Sequence, residues 1–230
     1  DANGIVVSGR SRGREAGAAV NAKALVTGVQ NYDGKLRLKN TLNDANAVAQ
    51  TFSDIGFDTR KLTDETATGG KVSYNEMVET IQAFVDEIDE NTVAAFAFMG
   101  TSSRRSMPSK SLLCSDNSLL ACTGHGAEQG GKHYLIPQEF PKKELLPEKA
   151  VEQQRTLEKI QAKKPLVTLV ILDCCRESAE IQQRNSYSGG VGLTGLAGPA
   201  GSLVMYATGV GGYAADSSSA SGEHGVFTEA

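Results

Sequence analysis

The segment that most constrains the fold of this chain is residues 165–176, with the sequence PLVTLVILDCCR. Its apolar part, residues 166–172, is interrupted only by Thr168. A run this short, rich in β-branched residues and opened by a proline, predicts a strand that is buried on both faces. The run ends in a carboxylate, two thiols and a guanidinium, Asp173 to Arg176. Since ligands bind at the carboxyl ends of strands in open α/β sheets, this end of the strand is the first candidate site.

Strand and helix patterns alternate along the rest of the chain. The other predicted strands are residues 24–29, 57–62, 92–99 and 202–208, with a short one near 133–137. The predicted helices are residues 44–54, 74–88 and 148–163, with a last helix opening at 225–227. Asn43 and Ser73 are expected to cap the first two helices, and Gly56 to end the first. This order predicts right-handed crossovers and a parallel sheet.

Composition excludes several classes of protein. A chain of 230 residues with 40% apolar residues suits one α/β domain. The net charge of −4 gives no nucleic-acid footprint. No apolar run approaches the roughly 18 residues of a transmembrane helix, and no signal peptide opens the sequence. The charge and the apolar runs therefore predict neither nucleic-acid nor membrane partners. The four cysteines are too few for a disulfide scaffold, so we expect a reducing, cytoplasmic setting.

The two ends of the sequence suggest a fragment that begins with a flexible segment. Residues 1–21 are expected to form a flexible lead-in to a domain over residues 22–230. The lead-in contains GRSRG at 9–13, which formally matches a nucleophile elbow but lacks the strand and helix that the elbow needs. The sequence starts with Asp1 rather than Met and stops where a helix is beginning, so we expect truncation, above all at the C-terminus.

A histidine upstream of the predicted strand is a candidate catalytic partner for the thiols at its end. His125 lies between Gly124 and Gly126, and Cys175 follows it after about 50 residues, a separation known for a His–Cys catalytic dyad. A thiolate nucleophile needs such a base nearby. The backbone amides of Gly126 and Cys175 would then supply an oxyanion hole.

Several short motifs occur in a fixed order along residues 22–230. They are residues 24–28 with Tyr32, 42–45, 56–57, 124–126, 133–137, 172–176 and 202–208 with 224–225. Through this ordered set the chain resembles caspase-like cysteine peptidases of the metacaspase and paracaspase branch. The resemblance implies a three-layer α/β/α sandwich with a mostly parallel six-stranded sheet.

The resemblance also implies roles for individual residues. Cys175 matches the nucleophile of the family's Asp-x-Cys pattern, and His125 matches its general acid/base. Asp44 and Asp173 resemble the floor of the pocket for the P1 side chain, the S1 pocket. Two recessed carboxylates favour a cationic side chain, which predicts cleavage of proteins or peptides after Arg or Lys, and not after Asp. Apart from the resemblance, Asp44 reads as a first-turn residue that complements a helix dipole.

One segment departs from the family pattern. The family's third strand runs almost directly into the His motif, whereas here residues 101–124 intervene. We interpret them as an inserted loop or a translated intron. Because the insert bears on how His125 meets Cys175, a catalytically inactive scaffold or interaction module is the alternative function. A flavodoxin-like nucleotide binder is a further alternative, although no Gly-rich phosphate turn follows the first strand.

The remaining predictions concern metals, processing and assembly. Arg184 lies in a Gly/Ser-rich loop, 177–199, that resembles the self-cleavage loop of the family. Many metacaspases bind calcium, but the usual acidic cluster after the His motif is not evident, so calcium stays open and no metal site is predicted. A zinc site built from Cys114, Cys122, His125 and His133 fits no closed zinc motif. Cys174, His133 and His224 are expected to be structural, and the protein to be a monomer or weak dimer.

Overall fold

The computed structural model of the chain describes residues 20–32, 37–100, 126–130, 132–139, 145–174, 201–207 and 222–229. Its strands are β1 (Asn21–Gly28), β2 (Asp58–Thr63), β3 (Thr92–Gly100), β4 (Gly126–Gln129), β5 (Lys132–Leu135), β6 (Val151–Glu152), β7 (Val167–Cys174) and β8 (Ser202–Tyr206). Its helices are α1 (Thr41–Asp54), α2 (Tyr74–Asp86), α3 (Leu146–Lys149), α4 (Gln153–Ala162) and α5 (Val226–Glu229).

Five of these strands form a central parallel sheet in the order β2-β1-β3-β7-β8. Helix α1 packs on one face of this sheet, while α2 and α4 pack on the other. The predicted three-layer α/β/α sandwich with a mostly parallel sheet is therefore confirmed. In the part of the chain that the structure describes, this sheet has five strands rather than the predicted six, and the short strand predicted near 133–137 is β5, outside it. Strands β4, β5 and β6 form a separate antiparallel sheet.

The two faces of the central sheet contribute to two different apolar cores. The face that α2 and α4 cover, here the closed face, carries Leu25, Phe96, Phe98, Val170 and Leu172, all buried. The face on which α1 lies, here the open face, carries Ala24, Val26, Ala95, Ala97 and Met99, also buried. Alternate residues of each strand thus enter different cores, as the two-residue period of a strand requires.

Within the described ranges, residues of β7 and β8 on the open face are only partly buried. Helix α1 packs against β1, β2 and β3. On β7, Val167, Leu169 and Ile171 are only half-buried. On β8, Leu203 and Met205 are 57% and 39% exposed. The prediction that segment 166–172 is buried on both faces is therefore wrong for the open face in the described structure.

Two local predictions are corrected by tertiary pairing. The helix predicted over 148–163 is two helices, α3 and α4, because Val151 and Glu152 pair with β5 as strand β6. Buried pairing with Leu135 prevails over a helical pattern, as tertiary context commonly does. Asn43 is not the cap of α1, which begins earlier, at Thr41, after Asn40. Asn43 instead lies in the first turn and contacts another segment of the chain.

Other local predictions are confirmed. Gly56 follows α1 with φ of +93°, a left-handed conformation that glycine adopts without the penalty of a Cβ atom. Ser73 caps α2, because its hydroxyl accepts a hydrogen bond from the Glu76 amide at 3.2 Å. Among the described residues, no helix combines the length and the apolar character needed to cross a membrane.

Candidate functional site

Three parallel strands end at the same level, and the candidate site lies at this edge of the sheet. In the register, Gly28 of β1 pairs with Met99 of β3, which pairs with Asp173 of β7. The last pair of β3 and β7 is Gly100 with Cys174. The polar end of segment 165–176 therefore meets the carboxyl ends of its neighbours, as the sequence predicts for a parallel sheet.

Asp173 and Cys174 point to opposite faces of the sheet. Asp173 lies on the open face, level with Met99, and is fully buried. Cys174 lies on the closed face within the larger apolar core, where its Sγ is 3.9 Å from Nε2 of Gln153 on α4. The prediction that Cys174 is a packed structural thiol is confirmed by its burial.

Asp44 reaches the open face through a close approach of α1 to β1. A Cβ atom at Gly28 would lie only 2.7 Å from Cβ of Ala45 and 3.3 Å from the carbonyl oxygen of Thr41. The missing side chain of Gly28 therefore lets the first turn of α1 lie against the end of β1. Gly28 is two strands from Asp173, about 10 Å at the usual strand spacing. Both candidate S1 carboxylates are thus on one face, at one edge of the sheet.

The Asp44 carboxylate is fully buried and is bound by the chain itself. The amide of Gly225 donates to its two oxygens, with nitrogen–oxygen distances of 3.0 and 3.2 Å. Nδ1 of His224 lies 3.1 Å from its Oδ1. Burial raises the pKa of Asp44 above its ordinary value, and the contacts with Gly225 and His224 oppose that rise only in part. Asp44 does lie in a first helical turn, but its contacts are tertiary rather than those of a solvated helix end.

Residues 222–225, here the C-terminal strap, are bound along their length by the start of α1. Nδ2 of Asn40 donates to the carbonyl oxygen of Gly222 at 3.1 Å. Nδ2 of Asn43 donates to the carbonyl oxygen of Glu223 at 2.9 Å. Sequence reasoning missed this strap, although Asn40, Asn43 and Asp44 have the i, i+3, i+4 spacing of one helix face.

Gly126, the predicted oxyanion-hole residue next to His125, begins the β4–β5 hairpin. It is buried and pairs with Leu135. His133 lies in β5, which confirms its predicted position in a hairpin. The exit of this hairpin is tied to the loop after β1, because the Tyr32 hydroxyl donates to the carbonyl oxygen of Ile136 at 2.8 Å. This contact is buried, and it joins the loop after β1 to the segment after β5.

Several predicted residues lie outside the described part of the chain. They are His125, Cys175, Arg184, the thiols Cys114 and Cys122, and the whole of segment 101–124. The dyad, the self-cleavage position and the insert therefore stay predictions. Within the described ranges, no group of three or more His, Cys, Asp or Glu side chains is arranged to hold a metal ion.

Comparison with known proteins agrees with this architecture. The crystal structure of protein GSU0716 from Geobacter sulfurreducens has a similar fold, with a TM-score of 0.53 over 91% of this chain and 79% of that one. At 12% sequence identity, this likeness concerns the fold alone. A search of curated proteins finds no match. The family model described as the caspase domain, of peptidase family C14, matches residues 21–230. The chain therefore belongs to the caspase-domain family of cysteine peptidases.

Proposed function

We propose that this protein is a cysteine endopeptidase that hydrolyses peptide bonds after Arg or Lys. Cys175 is the nucleophile and His125 the general acid/base in this proposal. Asp44 and Asp173 form the floor of the pocket that receives the P1 side chain. The observation that carries the proposal is the shared location of these carboxylates, fully buried on one face at the carboxyl edge of the sheet.

The charge of this region favours a cationic P1 side chain. A buried carboxylate is stable only when cations or hydrogen-bond donors compensate it. Burial already raises the pKa of Asp44, so an arriving cation restores stabilisation that the chain provides only in part. Arginine suits such a site best, because its planar guanidinium donates two parallel hydrogen bonds to a carboxylate. An aspartate at P1 would meet like charges and be excluded.

The proposed chemistry is acyl transfer in two steps. The Cys175 sulfur attacks the carbonyl carbon of the scissile bond, and His125 takes the thiol proton. His125 then gives this proton to the leaving amine, and a thioester remains on Cys175. Water, activated by His125, hydrolyses the thioester and frees the new carboxyl end. The amides of Gly126 and Cys175 would stabilise the oxyanion in both steps.

Position in the chain supports Cys175 over Cys174 as nucleophile. Cys174 is 2% exposed, and it packs in the apolar core of the closed face. A thiol in such surroundings is inert, since reactivity needs access and a stabilised thiolate. Cys175 is the next residue, and it matches the nucleophile position of the family's Asp-x-Cys pattern. Removal of Cys174 should therefore leave catalysis in place.

The direct test is hydrolysis of short fluorogenic peptides that differ only at P1. We expect release of fluorophore from Arg and Lys peptides, none from Asp peptides, and loss of about a thousandfold or more in Cys175→Ala. The matched control is Cys174→Ala, which should keep its rate. Each measurement is made with calcium and with a chelator. Cleavage of Asp peptides alone would refute the pocket. A folded protein that cleaves none of these peptides would favour the inactive scaffold.

A further inference from the structure

The carboxylate proposed to receive a P1 side chain already has an internal partner. We propose that His224 occupies the cation position of the S1 pocket at Asp44, and that a basic P1 side chain displaces the His224 ring when substrate binds. This inference rests on the proposed function, because it assigns to Asp44 the role of a binding residue. It makes His224 a specificity-determining residue.

Burial places the His224 ring on the solvent side of Asp44. Asp44 has a side-chain exposure of 0%, whereas the side chain of His224, in contact with it, is 32% exposed. The other donors to this carboxylate are the amide of Gly225, a buried residue, and the Thr228 hydroxyl, whose oxygen is buried. Among the described contacts of Asp44, the imidazole is therefore the one that faces the solvent from which a substrate would come.

The ring is able to leave without release of the strap that carries it. The backbone of the strap is held by Asn40 at Gly222, by Asn43 at Glu223 and by Asp44 at the Gly225 amide. None of these hydrogen bonds uses the imidazole. A change of side-chain rotamer at His224 thus removes one partner of Asp44 and leaves the amide of Gly225 in place. Rotamer changes of this kind accompany binding at many sites with a fixed backbone.

Replacement of the His224 ring at Asp44 is favourable only for a P1 side chain that is always charged. His224 offers Asp44 one ring nitrogen, and imidazole is charged only when protonated. A guanidinium is always charged and offers paired donors, so it replaces the ring with a better partner. A neutral P1 side chain would remove the ring and return no equivalent hydrogen bond to a buried carboxylate. The ring therefore excludes neutral side chains more strongly than it excludes basic ones.

The test measures binding of a guanidinium probe to the full chain, independently of peptide hydrolysis. Agmatine is titrated into the protein, and its Kd is read from the NMR shift of the Gly225 amide. In His224→Ala we expect agmatine to bind about tenfold more tightly, since a hydrogen bond to a charged group no longer has to be broken. The matched control is Glu223→Gln, an exposed strap neighbour, which should bind agmatine like the original protein.

Peptide kinetics supply the second readout. The KM for Arg peptides should fall in His224→Ala by a similar factor, with a smaller change in kcat, and neutral P1 peptides should gain most in relative rate. A higher Kd and KM in this variant would show that His224 positions Asp44 for substrate, and unchanged values would show no competition. Either result overturns the inference. If His224→Ala does not fold, His224→Leu, which fills the space of the ring but offers no hydrogen-bond partner, decides by the same measurements.

The two proposals fail in different ways. Tighter agmatine binding in a protein that cleaves no peptide would support the internal occupant and refute the peptidase. Cleavage after Arg, with agmatine affinity and KM unaffected by His224→Ala, would support the peptidase and refute the occupant. A shift of the Gly225 amide that does not saturate with agmatine, in either protein, would refute Asp44 as a guanidinium site.

Discussion

The closed and open faces of the central sheet are formed by the same strands, but the side chains on the two faces are buried to different extents. On the closed face, Val170 and Leu172 of β7 lie in the core that α2 and α4 cover and are nearly inaccessible to solvent. On the open face, Leu169 and Ile171 of the same strand are half-buried, and Leu203 of β8 is exposed. Neighbouring residues of one strand therefore contribute unequally to the free energy of unfolding.

The polar residues follow the same division. The inert thiol Cys174 lies on the closed face, whereas Asp173 and Asp44 lie with the open one. A closed apolar core does not admit a substrate side chain, since its packing resembles that of a crystal. Under the proposed function, stability and substrate recognition therefore belong to alternate residues of β7, on opposite faces of the sheet. Matched substitutions on the two faces test this separation.

The largest expected effect comes from a pair of neighbours in β7. Leu172→Ala leaves a cavity in the closed core, because Leu172 is 1% exposed, and should lower the free energy of unfolding by about 3 kcal/mol. Ile171→Ala removes side-chain area that is already partly hydrated, and should cost about 1 kcal/mol. Chemical denaturation of both variants measures the difference. Equal losses would mean that the open face is covered as well as the closed one.

The next effect should fall on specificity. Asp173→Asn removes one of the two carboxylates that we propose form the S1 pocket, and we expect kcat/KM for Arg peptides to fall about a hundredfold. The matched control is Asp64→Asn, another buried carboxylate, which accepts hydrogen bonds from the amides of Gln30 and Asn31. That variant should lose about 1–2 kcal/mol of stability and keep its preference for Arg. A similar loss of preference in both variants would contradict the pocket.

The sequence predicted the central layers well because strand and helix patterns there are local. Ser73, Gly56 and the apolar runs carry their structural signals within a few residues. The predicted start of α1 and the single helix predicted over 148–163 were wrong, because both boundaries depend on partners distant in sequence. Val151 becomes a strand residue only where Leu135 is present to pair with it.

The candidate site was predictable in part for the same reason. Adjacent strand ends bring Asp173 level with Gly28 through register alone, which a parallel sheet dictates. The contacts of Asp44 with His224 and Gly225 join residues about 180 positions apart, and no local pattern announces them. The role proposed for Asp44, in a pocket for basic side chains, came from family resemblance, and its internal partner His224 came from the structure.

A smaller effect is expected where α1 meets β1. Gly28→Ala would bring a methyl group against Ala45 and the backbone of Thr41, so α1 must shift at a cost of about 1–3 kcal/mol. The shift would move Asp44 and should raise the KM for Arg peptides. Gly56→Ala is the control: its positive φ costs about 1 kcal/mol, but open space surrounds the site, so KM should not change. An unchanged KM in both variants would show that the position of Asp44 does not affect the binding of Arg peptides.

The smallest effect is expected at the rim of the closed face, far from the site. Nζ of Lys23 lies 2.9 Å from Asp58 and 3.0 Å from Glu87, and its hydrogen bonds are the main reason that the pKa of each carboxyl is lowered. Lys23→Met should lower stability at pH 7 by less than about 1 kcal/mol, because these groups are largely solvated.

The pH dependence of that loss follows from the direction of the shifts. A carboxyl whose pKa is lowered by folding contributes stability above its ordinary pKa, and this contribution disappears as the pH falls through its folded value. The difference between the original protein and Lys23→Met should therefore be present at neutral pH and vanish in acid. Denaturation at a series of pH values measures it, with Lys61→Met, an exposed neighbour on β2, as control. A loss above about 2 kcal/mol would show that the rim of the closed face is a buried part of its core rather than its solvated edge.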